Sequence, residues 1–213
     1  MPPMRRFLQA GAVFADDLSS LADVRARYAV TGNPSVVDSA RGLAMHFSVG
    51  SNITGTASVG RFPHGVAGDF SVAFWIRTTD DSHAVMGNKR VDGNTKGWMV
   101  RLGAPGDIIL KVADGAAYTE VVSDTDVNDD IWHHVVFTVD RDGNSYPYVD
   151  GVQGTPVANV ENGDDISSDL DFAIGCDALG SFDMIGDLRE VVVFNRALTS
   201  VEAAALGQPG RAF

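Results

Sequence analysis

Residues 130–140 read DIWHHVVFTVD, and YPYVDG follows at 146–151 after an Asp142-Gly143-Asn144 break. Residues 132–139 (WHHVVFTV) are β-branched and aromatic and are bounded by aspartates, which is the composition of a strand. Asp142-Gly143-Asn144 supplies the positive φ that a tight hairpin turn requires. Residues 146–149 then read as the returning strand, closed by a second turn at Asp150-Gly151.

The same pattern recurs on both sides. Strands are expected at 70–77 (FSVAFWIR), 97–102 (GWMVRL), 108–112 (IILKV), 118–122 (YTEVV), 170–174 (LDFAI) and 188–194 (LREVVVF). Turn signals at Asp92-Gly93-Asn94, Asp114-Gly115 and Asn162-Gly163 lie among them. Short strands at this spacing, without a long helical pattern, indicate a sandwich or jelly roll. One short helix is expected near the end. Thr199 and Glu202 form a capping box, 203–206 continue it, and Gly207 and Pro209 stop it. Residues 24–29 read equally as a strand or a short helix. There is no repeat, linker or low-complexity stretch. We therefore assign one structural domain: residues 1–45 as an N-terminal arm with diverged opening strands, and 46–213 as the sandwich.

Composition agrees. Of 28 acidic residues only Glu120, Glu161, Glu190 and Glu202 are glutamates, and only three of the 16 basic residues are lysines. Glu and Lys populate exposed helix faces, whereas Asp and Gly populate turns, so these counts with 23 glycines describe many turns and little helix. The net charge of −12 repels phosphate backbones and anionic bilayers, which argues against nucleic acid and membrane insertion as partners. A lone cysteine, Cys176, excludes an internal disulfide. The N-terminus has two arginines and a broken apolar stretch, not the longer run of an export signal, so folding in a reducing cytoplasm is expected.

Three blocks together resemble the laminin-G-like domains of the concanavalin A-like superfamily. GDFSVAFWIR (68–77) resembles that family's G-x-F-T-x-x-x-W strand. DIWHHVVFTVD (130–140) with YVDG (148–151) resembles its W-H-H-V … Y-V-D-G hairpin. FAIG (172–175) with GDLREVVVFNRAL (186–198) resembles its closing block. The resemblance covers about residues 68–206. It implies an all-β fold: a concanavalin A-like jelly-roll sandwich of two antiparallel sheets with one short C-terminal helix. Trp75 and Trp132 are then the expected anchors filling the space between sheets about 10 Å apart.

No catalytic residue is assigned. Glycosidases of this general fold use paired carboxylates, about 5–5.5 Å apart when retaining. The nearest pattern, Glu120 to Asp124, has the wrong spacing, and the chain is expected not to be an enzyme. Calcium is considered at two places. Asp124, Asp126 and Asn128 alternate like the first half of a calcium loop, but Asp129 stands where a glycine is needed and Val135 where an acid is needed, so a solvated loop is the better reading. Relatives of the family bind calcium at a rim through an Asp in the closing block. Here that pair reads Arg189-Glu190, leaving Asp183 and Asp187 as the nearby oxygens.

His133 and His134 are adjacent on a strand, point to opposite faces, and read as packing residues. Cys176 reads as an inert thiol. Asn52-Ile53-Thr54 is a glycosylation sequon that stays idle without export.

Two functions remain open, both non-catalytic. The first is a structural or adhesive component of a bacteriophage virion surface, a capsid decoration or tail-associated protein assembled in the cytoplasm. It would dock on other virion proteins or on itself through an arm carrying Arg5 and Arg6. The second is a lectin-like module of a bacterium, extracellular or at the cell surface by an unrecognised export route. It would bind glycans through Trp98, Tyr118, Tyr146 and Tyr148, since sugar recognition needs exposed aromatic faces with polar groups at the rim.

Overall fold

The structure is a computed structural model that describes residues 12–16, 18–39, 42–55, 68–90, 94–159 and 165–207. Among these residues two antiparallel sheets face each other. The larger is ordered β13 (Val152–Gln153), β12 (Asn144–Val149), β11 (His133–Val139), β6 (Phe70–Thr78), β16 (Gly186–Phe194), β4 (Gly42–Phe47) and β3 (Ser35–Ser39). In it β1 (Ala12–Asp16) also pairs β16, and β14 (Val157–Ala158) pairs β12. The smaller sheet is ordered β10 (Tyr118–Val122), β9 (Asp107–Ala113), β8 (Gly97–Gly103), β7 (Ala84–Gly87), β15 (Ala173–Ile174), β5 (Asn52–Thr54) and β2 (Ala29–Thr31). The jelly-roll expectation holds. The undecided stretch at 24–29 divides: helix α1 (Leu21–Arg27), capped by Ser20, is followed directly by β2.

Alternation decides what lies between the sheets. Phe70, Val72, Phe74 and Ile76 of β6 point inward, beside Val135, Phe137 and Val139 of β11. Facing them are Trp98, Val100 and Leu102 of β8 with Ile108, Leu110 and Val112 of β9. Trp98 is wholly buried, with its ring centroid 5.8 Å from that of Phe70 and 5.7 Å from that of Phe172.

This corrects the expectation for the other two tryptophans. Trp75 has the opposite parity to Phe74 and Ile76. It is buried on the outer face of the larger sheet, 4.8 Å from the His134 ring. Trp132 precedes β11, is half-buried, and lies 5.7 Å beneath the Arg77 guanidinium. The inter-sheet anchor is Trp98.

One irregularity organises the larger sheet. Leu188 and Val191 of β16 both face the core, three positions apart where a regular strand would step by two. Glu190 absorbs the extra residue at φ +52. The bulge divides the strand's pairing on one side: Gly186–Leu188 pair with β4, and Val191–Phe194 pair with β1.

A second apolar cluster covers part of the outer face. Ala73, Val136, Tyr148, Val192 and Phe194 pack with Leu198 and with Ala203 of helix α2 (Ser200–Leu206). The predicted capping box is formed in full by Thr199 and Glu202. The helix rests on the Asp150-Gly151 turn: Gly151 has φ +81, and a Cβ there would meet the Ala204 carbonyl oxygen at 2.9 Å. Glycine is required at that position on both counts.

Candidate functional site

Beside that cluster the outer face of the larger sheet opens into a groove of about 320 Å³. Its floor follows from strand geometry. Tyr146 and Tyr148 are two residues apart on β12 and share a face, and Thr138 of β11 stands opposite Tyr146 in register. Three further segments supply the rest of the lining. Asp140 and Asn144 come from the β11–β12 turn and the first position of β12, Gln153 from β13, and Ala197, Leu198 and Ser200 from the approach to α2 and its first residue.

The two tyrosines have different roles. Tyr148 is 3% exposed and its ring belongs to the second cluster. Burial raises its pKa, with Tyr146 adding to the effect, so its hydroxyl is a neutral donor. That hydroxyl donates to Gln153 Oε1 at 2.9 Å, which leaves the Gln153 amide –NH2 to act as a donor toward the groove. Tyr146 is half-buried and is the accessible aromatic surface.

The α2 side of the groove is anchored by Ser71 and Arg196, which the sequence did not single out, together with Glu202 of the capping box. Ser71 Oγ accepts from the Leu198 amide at 2.9 Å and donates to the Arg196 carbonyl at 3.0 Å. Arg196 grips Glu202 through two nitrogens at 2.9 and 2.7 Å. That contact, with the Thr199 amide, lowers the Glu202 carboxyl to about 2.

Of the four aromatic residues singled out from sequence, the structure brings together only Tyr146 and Tyr148. Trp98 is corrected: a ring with no exposed surface, packed between Phe70 and Phe172, does not meet a sugar. Tyr118 is exposed on β10 of the other sheet, and the Lys111 ammonium stands 3.7 Å over its ring.

The calcium candidates separate in the same way. Asp124 accepts from the Thr155 amide and hydroxyl at 2.9 and 3.0 Å, while Asn128 donates to the Pro105 carbonyl at 2.7 Å. Asp124 and Asn128 thus tie their loop to two different neighbours, while Asp126 lies with Asn128 beside Gly106. Asp183 accepts from the Gly50 amide and from Asn52, holding the β4–β5 turn. Asp187 is buried, with one oxygen 2.7 Å from His46 Nδ1 and the other bonded by Arg77 Nε at 2.8 Å. Its charge is already balanced by side chains. Among the described residues no three His, Cys, Asp or Glu side chains cluster as metal ligands. Asn52 is 4% exposed, which closes the sequon to a glycosyl group. Arg5 and Arg6 lie outside the described residues.

The carboxylates act as counter-ions. Glu120 pairs with Arg101 and Lys111, Glu190 with Arg189, and Glu202 with Arg196. Glu161 lies outside the described residues. Asp129 and Asp150 flank His133, at 3.1 Å from Nε2 and 2.8 Å from Nδ1. Burial alone would raise both acids. For Asp150 the hydrogen bonds from His133 and the His134 amide outweigh it, and for Asp129 those from the Ile131 amide and His133 do, so both are lowered. The Asp150 bond in turn raises His133 against its burial, and Asp129 adds to this. A carboxylic general acid needs its pKa raised, the opposite of the shift at Asp129 and Asp150. The Cys176 thiol is buried, with Asp183 and Asp177 nearby, and is pushed up to about 12. Among the described residues no helix is long and apolar enough to cross a membrane.

The sequence pattern of the "Concanavalin A-like lectin/glucanases superfamily" matches residues 50–204. No curated protein matches the chain. Among solved structures, the binding domain of Paraclostridial Mosquitocidal Protein 1 is similar at TM-score 0.70 and 16% identity, covering 94% of this chain and 52% of that one. The Botulinum Neurotoxin serotype G binding domain is similar at TM-score 0.69 and 18% identity, covering 92% and 50%. Domain 4 of AbnA, a GH43 extracellular arabinanase from Geobacillus stearothermophilus solved with arabinotriose, is similar at TM-score 0.63 and 18% identity, covering 83% and 82%. This chain thus spans about half the length of the two toxin binding domains. With the family pattern matched over most of its length, and the two-sheet sandwich and closing helix in place, the chain belongs to the concanavalin A-like lectin/glucanases superfamily.

Proposed function

We propose that the protein is a non-catalytic glycan-binding module that seats a sugar in the groove over Tyr146 and Tyr148. One observation carries this reading: an aromatic surface on a fixed strand shares a concavity of about 320 Å³ with Thr138, Asp140, Asn144, Gln153 and Ser200, residues whose side chains carry hydroxyl, carboxylate and amide groups. A sugar ring has an apolar C–H face and a polar hydroxyl edge, and this arrangement answers both. The volume lies at the lower end of the range for small-ligand pockets, roughly 300–1,000 Å³, and suits one or two sugar rings. The arabinanase domain, of similar fold and size, was solved with arabinotriose, which supports a glycan as ligand class. The docking arm of the virion-attachment reading, with Arg5 and Arg6, lies outside the described residues, and the groove favours the glycan reading over it.

The test is calorimetry or affinity electrophoresis with soluble polysaccharides, comparing wild type with Tyr146→Ala. Loss of the accessible aromatic surface is expected to weaken binding about tenfold or more, equivalent to about 1.4 kcal/mol, with no loss of folded protein. Glycan binding unchanged in Tyr146→Ala would place the site elsewhere on the sandwich.

A further inference from the structure

The charge of the groove narrows the ligand class, and the following rests on the reading of the groove as a sugar site. We propose that the groove accepts neutral glycans and excludes acidic ones bearing carboxylate or sulfate groups, with Asp140 as the residue that discriminates. Apart from Asp140, the polar lining is uncharged: Thr138, Asn144, Tyr146, Gln153 and Ser200. Among the described residues no lysine or arginine lines it.

The two arginines adjacent in sequence are turned away from service as anion receptors. Arg196, next to Ala197, is held by both Glu202 oxygens. Arg141, next to Asp140, is 1% exposed, so its guanidinium is folded into the protein and not presented to solvent. An acidic sugar would therefore bring its anion toward an exposed carboxylate with no cation to receive it, on a protein whose net charge is −12.

The same carboxylate suits a neutral sugar. An ionised carboxylate only accepts hydrogen bonds, and Asp140, whose Oδ1 also holds the Asp142 amide, offers its remaining acceptor capacity to sugar hydroxyls. Gln153, with its oxygen taken by Tyr148, supplies a donor for a sugar oxygen. The site thus reads hydroxyl-rich, uncharged rings by acceptors at the Asp140 end and a donor at the Gln153 end.

Wild type, Asp140→Asn and Tyr146→Ala are each titrated with two sets of polysaccharides at low salt. The neutral set is linear arabinan, galactomannan and mixed-linkage β-glucan. The acidic set is polygalacturonate, alginate and chondroitin sulfate. Asp140→Asn keeps an oxygen for the Asp142 amide, which Asp140 Oδ1 receives at 3.2 Å, so the turn is retained. Wild type is expected to bind at least one neutral polymer at least tenfold more tightly than any acidic one. In Asp140→Asn the ratio of acidic to neutral affinity rises about tenfold, because a like charge is removed and an acceptor weakened. Acidic polymers binding wild type as tightly as neutral ones, in a manner lost in Tyr146→Ala, would overturn the selectivity while leaving the sugar site standing. Exclusion that persists unchanged in Asp140→Asn would overturn the role of Asp140. Binding of neither set, or binding indifferent to Tyr146→Ala, would overturn the site itself and the selectivity with it.

Discussion

The three tryptophans give the strictest test of the packing, because similar side chains sit in three environments. Trp98 lies wholly between the sheets, against Phe70 and Phe172. Truncating a buried Trp to Ala costs about 3–5 kcal/mol. At about 2–4 °C per kcal/mol for a chain of this length, Trp98→Ala is expected to lower Tm by roughly 6–20 °C. Trp75 is 5% exposed on the outer face, and Trp75→Ala should fall in the same range. Trp132 is half-buried under Arg77, an exposed cation–π contact worth about 0.5–1 kcal/mol. With its partial burial lost as well, Trp132→Ala should cost about 1–2 kcal/mol, or roughly 2–8 °C. The assay is thermal melting followed by far-UV circular dichroism. Intrinsic fluorescence of the Trp→Phe variants assigns each emission, with Trp98 the most blue-shifted and Trp132 the most red-shifted. A Trp132→Ala variant that melts as low as Trp98→Ala would refute the parity assignment and restore Trp132 to the space between the sheets.

Two further outcomes follow from the titratable groups. His133 is raised above its ordinary 6.5, so its contribution to stability is fully present below pH 6.5 and is lost as pH rises through the folded value; Asp129 and Asp150, lowered, contribute above their ordinary 3.8 and lose that contribution as pH falls through their folded values. Tm measured from pH 3 to 9 should therefore be highest between about pH 4 and 6.5, with the alkaline decline reduced in His133→Gln; an identical alkaline decline in both proteins would remove His133 as its source. Cys176, buried and with its thiol pushed up to about 12, should resist an aromatic disulfide reagent at pH 8 until the protein is denatured, whereas rapid reaction of the folded protein would show the thiol to be accessible.

Local chemistry was legible in the sequence; facing was not. Thr199 and Glu202 are three residues apart, and the capping box they form depends on nothing distant. The Asp114-Gly115 turn likewise lies between the two strands it was expected to join, and Asp150-Gly151 closes β12 as expected, leading into the short strand β13 that the sequence did not signal. Trp75 was misplaced because FSVAFWIR is apolar at both parities. The strand is covered on one side by the smaller sheet and on the other by the outer cluster and His134, so its period-two signal is lost. The bulge at Glu190 was invisible because a non-glycine residue occupies the positive φ. β1 gave no signal of its place, since its partner in the second half of β16 lies at the other end of the chain. At the groove, Tyr146 and Tyr148 were readable as an i, i+2 pair. Thr138, Asp140, Gln153 and Ser200 come from other segments and meet only through tertiary pairing. The alternating Asp124, Asp126 and Asn128 pattern, read in the sequence as a solvated loop in preference to a calcium site, shows the converse limit: regular spacing in a loop fixes no common direction, and Asp124 and Asn128 serve different neighbours.

The position of the groove also bears on how well it can bind. Its floor belongs to β11 and β12, strands whose other face is the inter-sheet core, so Thr138 and Tyr146 stand on backbone that has little freedom to lose. Tyr148 is fixed twice, by the outer cluster and by Gln153. The opposite side is an irregular connection, the kind of segment that is ordinarily mobile, yet Ser71 bonds it at both the Arg196 carbonyl and the Leu198 amide. Arg196 and the capping box then lock the start of α2 through a single glutamate. Ordering a side chain on binding costs about 0.5–1.5 kcal/mol, and weak sugar affinities leave little room for several such costs. A groove whose floor and α2 side are already fixed in the free protein avoids most of them. Ser71, which does not itself line the groove but bonds the Leu198 amide from beneath the connection, is for that reason a positioning residue of the proposed site as much as a residue of the fold.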